Sequence, residues 1–123
     1  MKYTFKMLSD EYWWGGSVND GVIMPFLADT EIEADFRKKC PNQGMPLFLS
    51  SRGRYIWSDE PFSVEIKNGV ITAEGENITL TEAGDCLRDA YLDASRKHFP
   101  FGGKMPRREF FETAQYNTWM EFT

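Results

Sequence analysis

The sequence predicts a mainly β domain, an antiparallel β-sandwich closed by a short C-terminal helix. Three observations predict it. Between residues 45 and 80, short apolar-alternating runs are cut at short intervals by turn residues, which reads as one antiparallel meander. Inside that stretch Phe62, Val64 and Ile66 alternate with Ser63, Glu65 and Lys67. Asn68-Gly69 follows, a pair suited to a tight hairpin turn whose two central residues both need positive φ. After Asp85 the apolar spacing changes to Leu87, Ala90, Tyr91 and Ala94, a helical stripe.

The chain as a whole sets the bounds. At 123 residues it suits a single core that needs no covalent staples. Asp plus Glu number 19 against 14 Lys plus Arg, and the longest basic run is Arg37-Lys38-Lys39, so a nucleic-acid partner is not expected. No apolar run has the length of a membrane span, and the first four residues lack the apolar core of a signal peptide. A cytoplasmic protein without a membrane partner is the expectation. Cys40 and Cys86 lack metal-type spacing and read as two free thiols. His98 is the single histidine, so neither a metal nor a cofactor is expected.

Taken in order, residues 2–8 alternate Tyr3, Phe5 and Met7 against Lys2, Thr4 and Lys6, a first strand. Tyr12, Trp13 and Trp14 cannot all face one side of a strand, so at least one points away from the core. Gly15-Gly16 reads as a break after them, and Asn19-Asp20-Gly21 has turn chemistry. Large aromatics, a glycine pair and amide and carboxylate groups together are the composition expected where a sugar is held. Ring faces pack on the apolar side of a pyranose while polar groups bond its hydroxyls. Buried tryptophans at a sandwich edge are the competing reading and, on these residues alone, the favoured one, since buried aromatics are the commoner case.

Pro25 makes residues 23–27 an edge or a crossing loop. Ile32, Ala34 and Phe36 alternate with charged neighbours as another half-exposed strand, and residues 38–44 read as a solvated loop. Within the meander, Ser51-Arg52-Gly53 is a hairpin turn and Ser58-Asp59-Glu60-Pro61 a second connection. Asp59 and Glu60, adjacent in a turn, point apart and do not form a catalytic pair. Asp85 caps the helix, which ends before Pro100, with Arg88, Asp89 and Asp93 on its polar face. Proline and glycine between Phe99 and Pro106 mark a boundary, residues 107–114 make a short helical turn, and residues 115–123 read as a new strand opening a second domain. The expected division is therefore a sandwich with its helix over 1–99, a linker over 100–114, and a further strand over 115–123.

Four segments in this order resemble the N-terminal region of bacterial family-31 glycoside hydrolases. They are Tyr12-Trp13-Trp14-Gly15-Gly16, Asn42-Gln43-Gly44-Met45-Pro46-Leu47, Arg54-Tyr55-Ile56-Trp57 and Gln115-Tyr116-Asn117-Thr118-Trp119. The resemblance spans nearly the whole chain. It implies a β-sandwich ahead of a (β/α)₈ barrel that hydrolyses α-linked sugars with retention, using two barrel aspartates. Residues 115–123 would then be the first strand of a barrel whose remainder is missing from this sequence. Barrel active sites lie at the C-terminal ends of the strands, which would put Trp119 and Glu121 nearest the sugar. The loop after Trp13 would reach over the site, with Trp13 or Trp14 stacking on carbohydrate and Asn19 and Asp20 bonding hydroxyls. No catalytic residue is assigned, because Asp20, Asp35, Asp59, Asp85 and Asp93 do not match the family's catalytic motifs.

The sequence thus supports the N-terminal sandwich of an α-glycosidase, silent in hydrolysis by itself, whose partners are carbohydrate and a downstream barrel. A non-catalytic carbohydrate-binding module and a purely structural interface module are the alternatives. Exposed apolar surface around Tyr116 would also favour a homo-oligomer.

Overall fold

A computed structural model describes residues 1–38 and 43–116. Among the described residues, eight strands form two four-stranded sheets with every neighbouring pair antiparallel. The first sheet has the order β1 (Lys2–Lys6), β7 (Val70–Glu74), β6 (Ser63–Lys67), β3 (Ile32–Asp35). The second has the order β2 (Trp13–Ser17), β4 (Gly44–Ser50), β5 (Arg54–Trp57), β8 (Thr79–Glu82). The sheets pack face to face as a β-sandwich. Trp13, Phe48 and Ile56 from the second sheet meet Val64, Ile66, Ile71 and Ala73 from the first, with Phe26, Phe62 and Ile78 completing the buried cluster. Period-two alternation makes this possible, since each strand turns one side chain in two toward the facing sheet.

Both expected turns are present. Asn68 and Gly69 adopt φ of 52° and 72° and close the β6–β7 hairpin, while Ser51-Arg52-Gly53 closes β4–β5. The expected single meander is not what forms. The β4–β5 hairpin belongs to the second sheet and the β6–β7 hairpin to the first, after which β8 returns to pair with β5. Ser58 organises the crossing from β5 to β6. Its fully buried hydroxyl donates to the Glu76 carbonyl at 2.7 Å and accepts from the Glu60 amide at 3.1 Å, bonding the two crossing segments together. Asp59, in the same turn, accepts from Trp57 Nε1. Pro61 then suits the gap between sheets, where no ladder partner is needed.

Gly15-Gly16 does not break its strand. β2 continues through both glycines and slips register between Gly15 and Ser17 as a bulge. At Gly15, φ is +141° and an added Cβ would lie 2.2 Å from the Leu47 carbonyl oxygen, so the close approach of β2 to β4 requires glycine there.

The helix α1 (Leu87–His98) lies against the outer face of the second sheet. Ala90 and Ala94 are buried on Tyr55, flanked by Leu47, Leu49, Trp57 and Ala83. Tyr91, expected on the same stripe, is exposed because it sits about 100° around the helix from Ala90. The capping position is Cys86 rather than Asp85. The Asp89 carboxylate accepts from the Asp85 amide at 2.9 Å and the Cys86 amide at 3.4 Å. Beyond Phe99 the chain leaves the body. Residues 99–116 are exposed throughout and include one short turn of helix, α2 (Glu109–Glu112), where the sequence predicts it. The new strand expected over 115–123, and with it any start of a barrel, falls almost entirely outside the described residues.

Candidate functional site

The two tryptophans of the Trp13-Trp14 pair are separated by strand alternation. Trp13 pairs with Ser50 and faces the core; Trp14 pairs with Leu49 and faces outward. Trp13 is 0 % exposed, so it has no ring face to offer a sugar, and the stacking role expected of it is withdrawn.

Trp13 belongs to a buried polar network that the sequence reading missed. Its indole nitrogen donates to Glu11 Oε1 at 3.0 Å. The same carboxylate accepts from Arg54 through Nη2 at 2.6 Å and Nε at 2.8 Å, from Ser50 Oγ at 2.6 Å and from the Leu8 amide at 3.0 Å. The Arg54 guanidinium carbon lies 5.5 Å from the Trp13 ring centre, and its Nη2 also donates to the Lys6 carbonyl. Burial pushes the Glu11 carboxyl up, but the bonds from Arg54, Ser50 and Leu8 outweigh it and hold the group below the ordinary carboxylate range. Every partner of this carboxylate is structural. The network joins β1, the turn after it, β2 and the β4–β5 hairpin, and has no opening for a substrate. The signal was present, because Arg54 occupies an inward position of β5 in phase with Ile56, and Glu11 lies two residues before Trp13, the first residue of β2.

Trp14 lines an open groove of about 360 Å³ on the outer face of the second sheet. Met24, Met45, Leu47 and Leu49 complete its apolar wall, and the Gly15-Gly16 bulge with Ser17 and Val18 forms one end. Leu47 and Leu49 also touch the cluster beneath α1, so the groove continues the surface that the helix covers. Asn19 and Asp20 follow directly in a 3₁₀ turn (Val18–Ile23), with the Asn19 amide donating to Ser17 Oγ at 3.2 Å, but neither lines the groove. Of the six residues expected to hold sugar, the structure brings only Trp14 to this surface. Trp119 and Glu121 lie outside the described residues.

A second constellation sits where α1 ends. Trp57 stacks on His98 with ring centres 4.2 Å apart, and Phe99 meets the same indole edge-on at 5.4 Å. Beside it, Tyr55 donates to Asp93 at 2.7 Å, and Lys97 Nζ lies 3.1 Å from the same carboxylate. Burial, then the bond to Asp93, raises the Tyr55 hydroxyl above its ordinary pKa; the Tyr55 and Lys97 contacts lower Asp93. These contacts fasten the helix C-terminus to the sheet and set the direction in which the chain departs.

Among the described residues, no group of His, Cys, Asp and Glu is arranged to hold a metal ion, and no helix is long and apolar enough to cross a membrane. Cys86 is a free, exposed thiol. Set against models of known protein families and against curated proteins, the chain has no match.

Proposed function

We propose that this chain is the N-terminal β-sandwich portion of a cytoplasmic α-glycosidase, a non-catalytic scaffold that a catalytic module packs upon. The observation that carries this reading is the exposed segment 99–116. Phe101, Met105, Phe110, Phe111 and Tyr116 all stand in solvent after a helix that is itself firmly docked. Exposed apolar surface of this extent marks a place where another structural unit is received. The order of the four resembling segments supplies the identity of that unit. Hydrolysis then belongs to the module and not to the sandwich, because retention needs two carboxyl groups about 5 Å apart across the scissile bond.

A second reading is favoured by Trp14 alone. A half-buried indole on an open surface can stack on a pyranose, which would make the groove a carbohydrate subsite. The groove wall is otherwise almost wholly apolar, with Ser17 as its one polar side chain, and this suits protein packing better than a ring of hydroxyls.

The deciding experiment is to read the coding sequence beyond the codon for Thr123. A continuation of several hundred residues with a repeating βα pattern supports the scaffold reading; a stop codon overturns it. Calorimetric titration of the chain with α-linked oligosaccharides tests the second reading. Saturable binding lost on Trp14→Ala supports a subsite, and no heat of binding removes it.

A further inference from the structure

We infer that the Lys104–Met105 peptide bond is a proteolytic release point, opened by endoproteases that read a basic side chain. The cut separates the sandwich and α1 from the exposed arm, residues 100–116. An endoprotease takes its substrate as an extended strand and supplies that strand with backbone partners of its own. It therefore needs chain that is exposed and free of internal hydrogen bonds. Residues 100–106 meet both needs: each is exposed, and none makes a hydrogen bond to another described residue. On one side of them Phe99 is still held by the body, through Trp57 at 5.4 Å and through its amide, which donates to the Ser95 carbonyl. On the other side α2 begins.

Lys104 is the one basic residue between these two anchors, and its ammonium has no partner among the described residues. It is free to enter the acidic pocket by which such enzymes choose the bond they cut. Met105 follows it, 69 % exposed, so the departing nitrogen belongs to an ordinary amide and not to a proline ring. Gly102 and Gly103 precede it with open space around both, which lets an enzyme lie close against the backbone. Arg107 and Arg108 show by contrast what Lys104 lacks. Arg107 lies 3.9 Å from Glu109, and its carbonyl accepts from the Phe110 amide at 3.0 Å. Arg108 pairs with Glu112, and its carbonyl accepts from the Phe111 and Glu112 amides. The bonds after these two open second, once the single turn of helix has frayed. Elsewhere among the described residues the basic side chains sit in strands, in α1 or in hydrogen-bonded turns, as do Arg37 and Lys38 on Asp35 and Arg52 on Ser50 and Ser9.

The cut breaks the bond from the Lys104 carbonyl carbon to the Met105 nitrogen. One water is added, its hydroxyl completing the Lys104 carboxyl and its proton the new Met105 amine. Residues 1–104 keep the buried core and the contact of Phe99 with Trp57. The inference does not rest on the glycosidase reading, since any unit carried on the arm is parted by the same cut.

Trypsin at a low ratio to the folded chain, with intact masses read over time, tests it. The first products expected are residues 1–104 and 105–123. They should form at least about tenfold faster than any cut within residues 1–99, whose bonds are reached only in the opened fraction. The longer product should keep the circular dichroism of the intact chain. Lys104→Gln should slow the first cut and move it to Arg107 or Arg108. A lysine-specific endoprotease should cut the unaltered arm once and leave the Lys104→Gln arm whole. Lys104 has no partner to lose, so the variant folds as the unaltered chain does. A first cut inside residues 1–99, a chain that resists both enzymes, or a Lys104→Gln chain cut as fast as the unaltered one overturns the inference.

Discussion

Glu11 accepts five hydrogen bonds, two of them from one guanidinium, in a position that is almost fully buried. Removing one partner of such a pair leaves the other charge stranded, which costs more than the pair contributes when intact. Glu11→Ala should therefore lower unfolding free energy by about 3–5 kcal/mol in a urea titration. The same carboxyl makes stability depend on pH. Its folded-state value lies below the ordinary 4.5, so between the two values the unfolded chain binds more protons and stability rises with pH. The contribution is complete above about pH 4.5 and is lost as pH falls through the lowered folded value. Glu11→Gln should flatten this acid limb, whereas an unchanged limb would show that the network is not its source. Asp35, Asp89 and Asp93 are lowered too, chiefly by Arg37, the Asp85 amide and Tyr55 respectively. They leave a residual slope of the same sign.

At the level of elements, β2 is where local sequence and tertiary demand part company. A glycine pair normally ends a strand, yet here it lets β2 bulge and press its backbone on β4. Gly15→Ala should destabilise the fold by about 1–3 kcal/mol or more, through both the positive φ and the contact with Leu47. A loss smaller than half a kcal/mol, by the scale of an ordinary surface change, would mean the bulge is dispensable. Asp89→Ala should cost about 1 kcal/mol by uncapping α1. The hairpins were legible because their signals are local: alternation on either side of Asn68-Gly69 and of Ser51-Arg52-Gly53 specifies a turn and a register. Which sheet each hairpin joins was not legible. That choice is made by long-range burial of Phe62 against Phe36 and Phe48 and by the Ser58 hydroxyl, neither of which leaves a mark in a short window. The helix shows the same limit. Its stripe was readable, but spacing alone cannot say that Tyr91, about 100° around the helix from Ala90, would be exposed. The site divided in the same way. Period two foretold that at least one aromatic of the triplet must face away from the core; Tyr12 is exposed and Trp14 faces outward, but only the pairing of β2 with β4 says that Trp13 is the buried one and what surrounds Trp14.

For the whole molecule, the described structure separates a packed body from an arm that contributes no buried side chain to it. The body's stability should therefore be indifferent to the arm as long as Phe99 remains on Trp57. Ending the chain after Phe99 should leave the melting temperature unchanged in dilute solution, where the chain is monomeric. Self-association through the exposed apolar side chains of the arm changes this expectation in one direction only. Association stabilises the folded state by mass action, so the melting temperature of the full chain should climb with protein concentration. The shortened chain has no arm to donate, and its melting temperature should stay flat over the same range. Two melting series thus separate the roles of the arm. Parallel rising curves would place the self-association on the sandwich, parallel flat curves would abolish it, and a lower dilute-limit value for the shortened chain would show that the arm packs on its own body. Divergence with concentration from a common dilute limit is the signature of an arm that acts between copies.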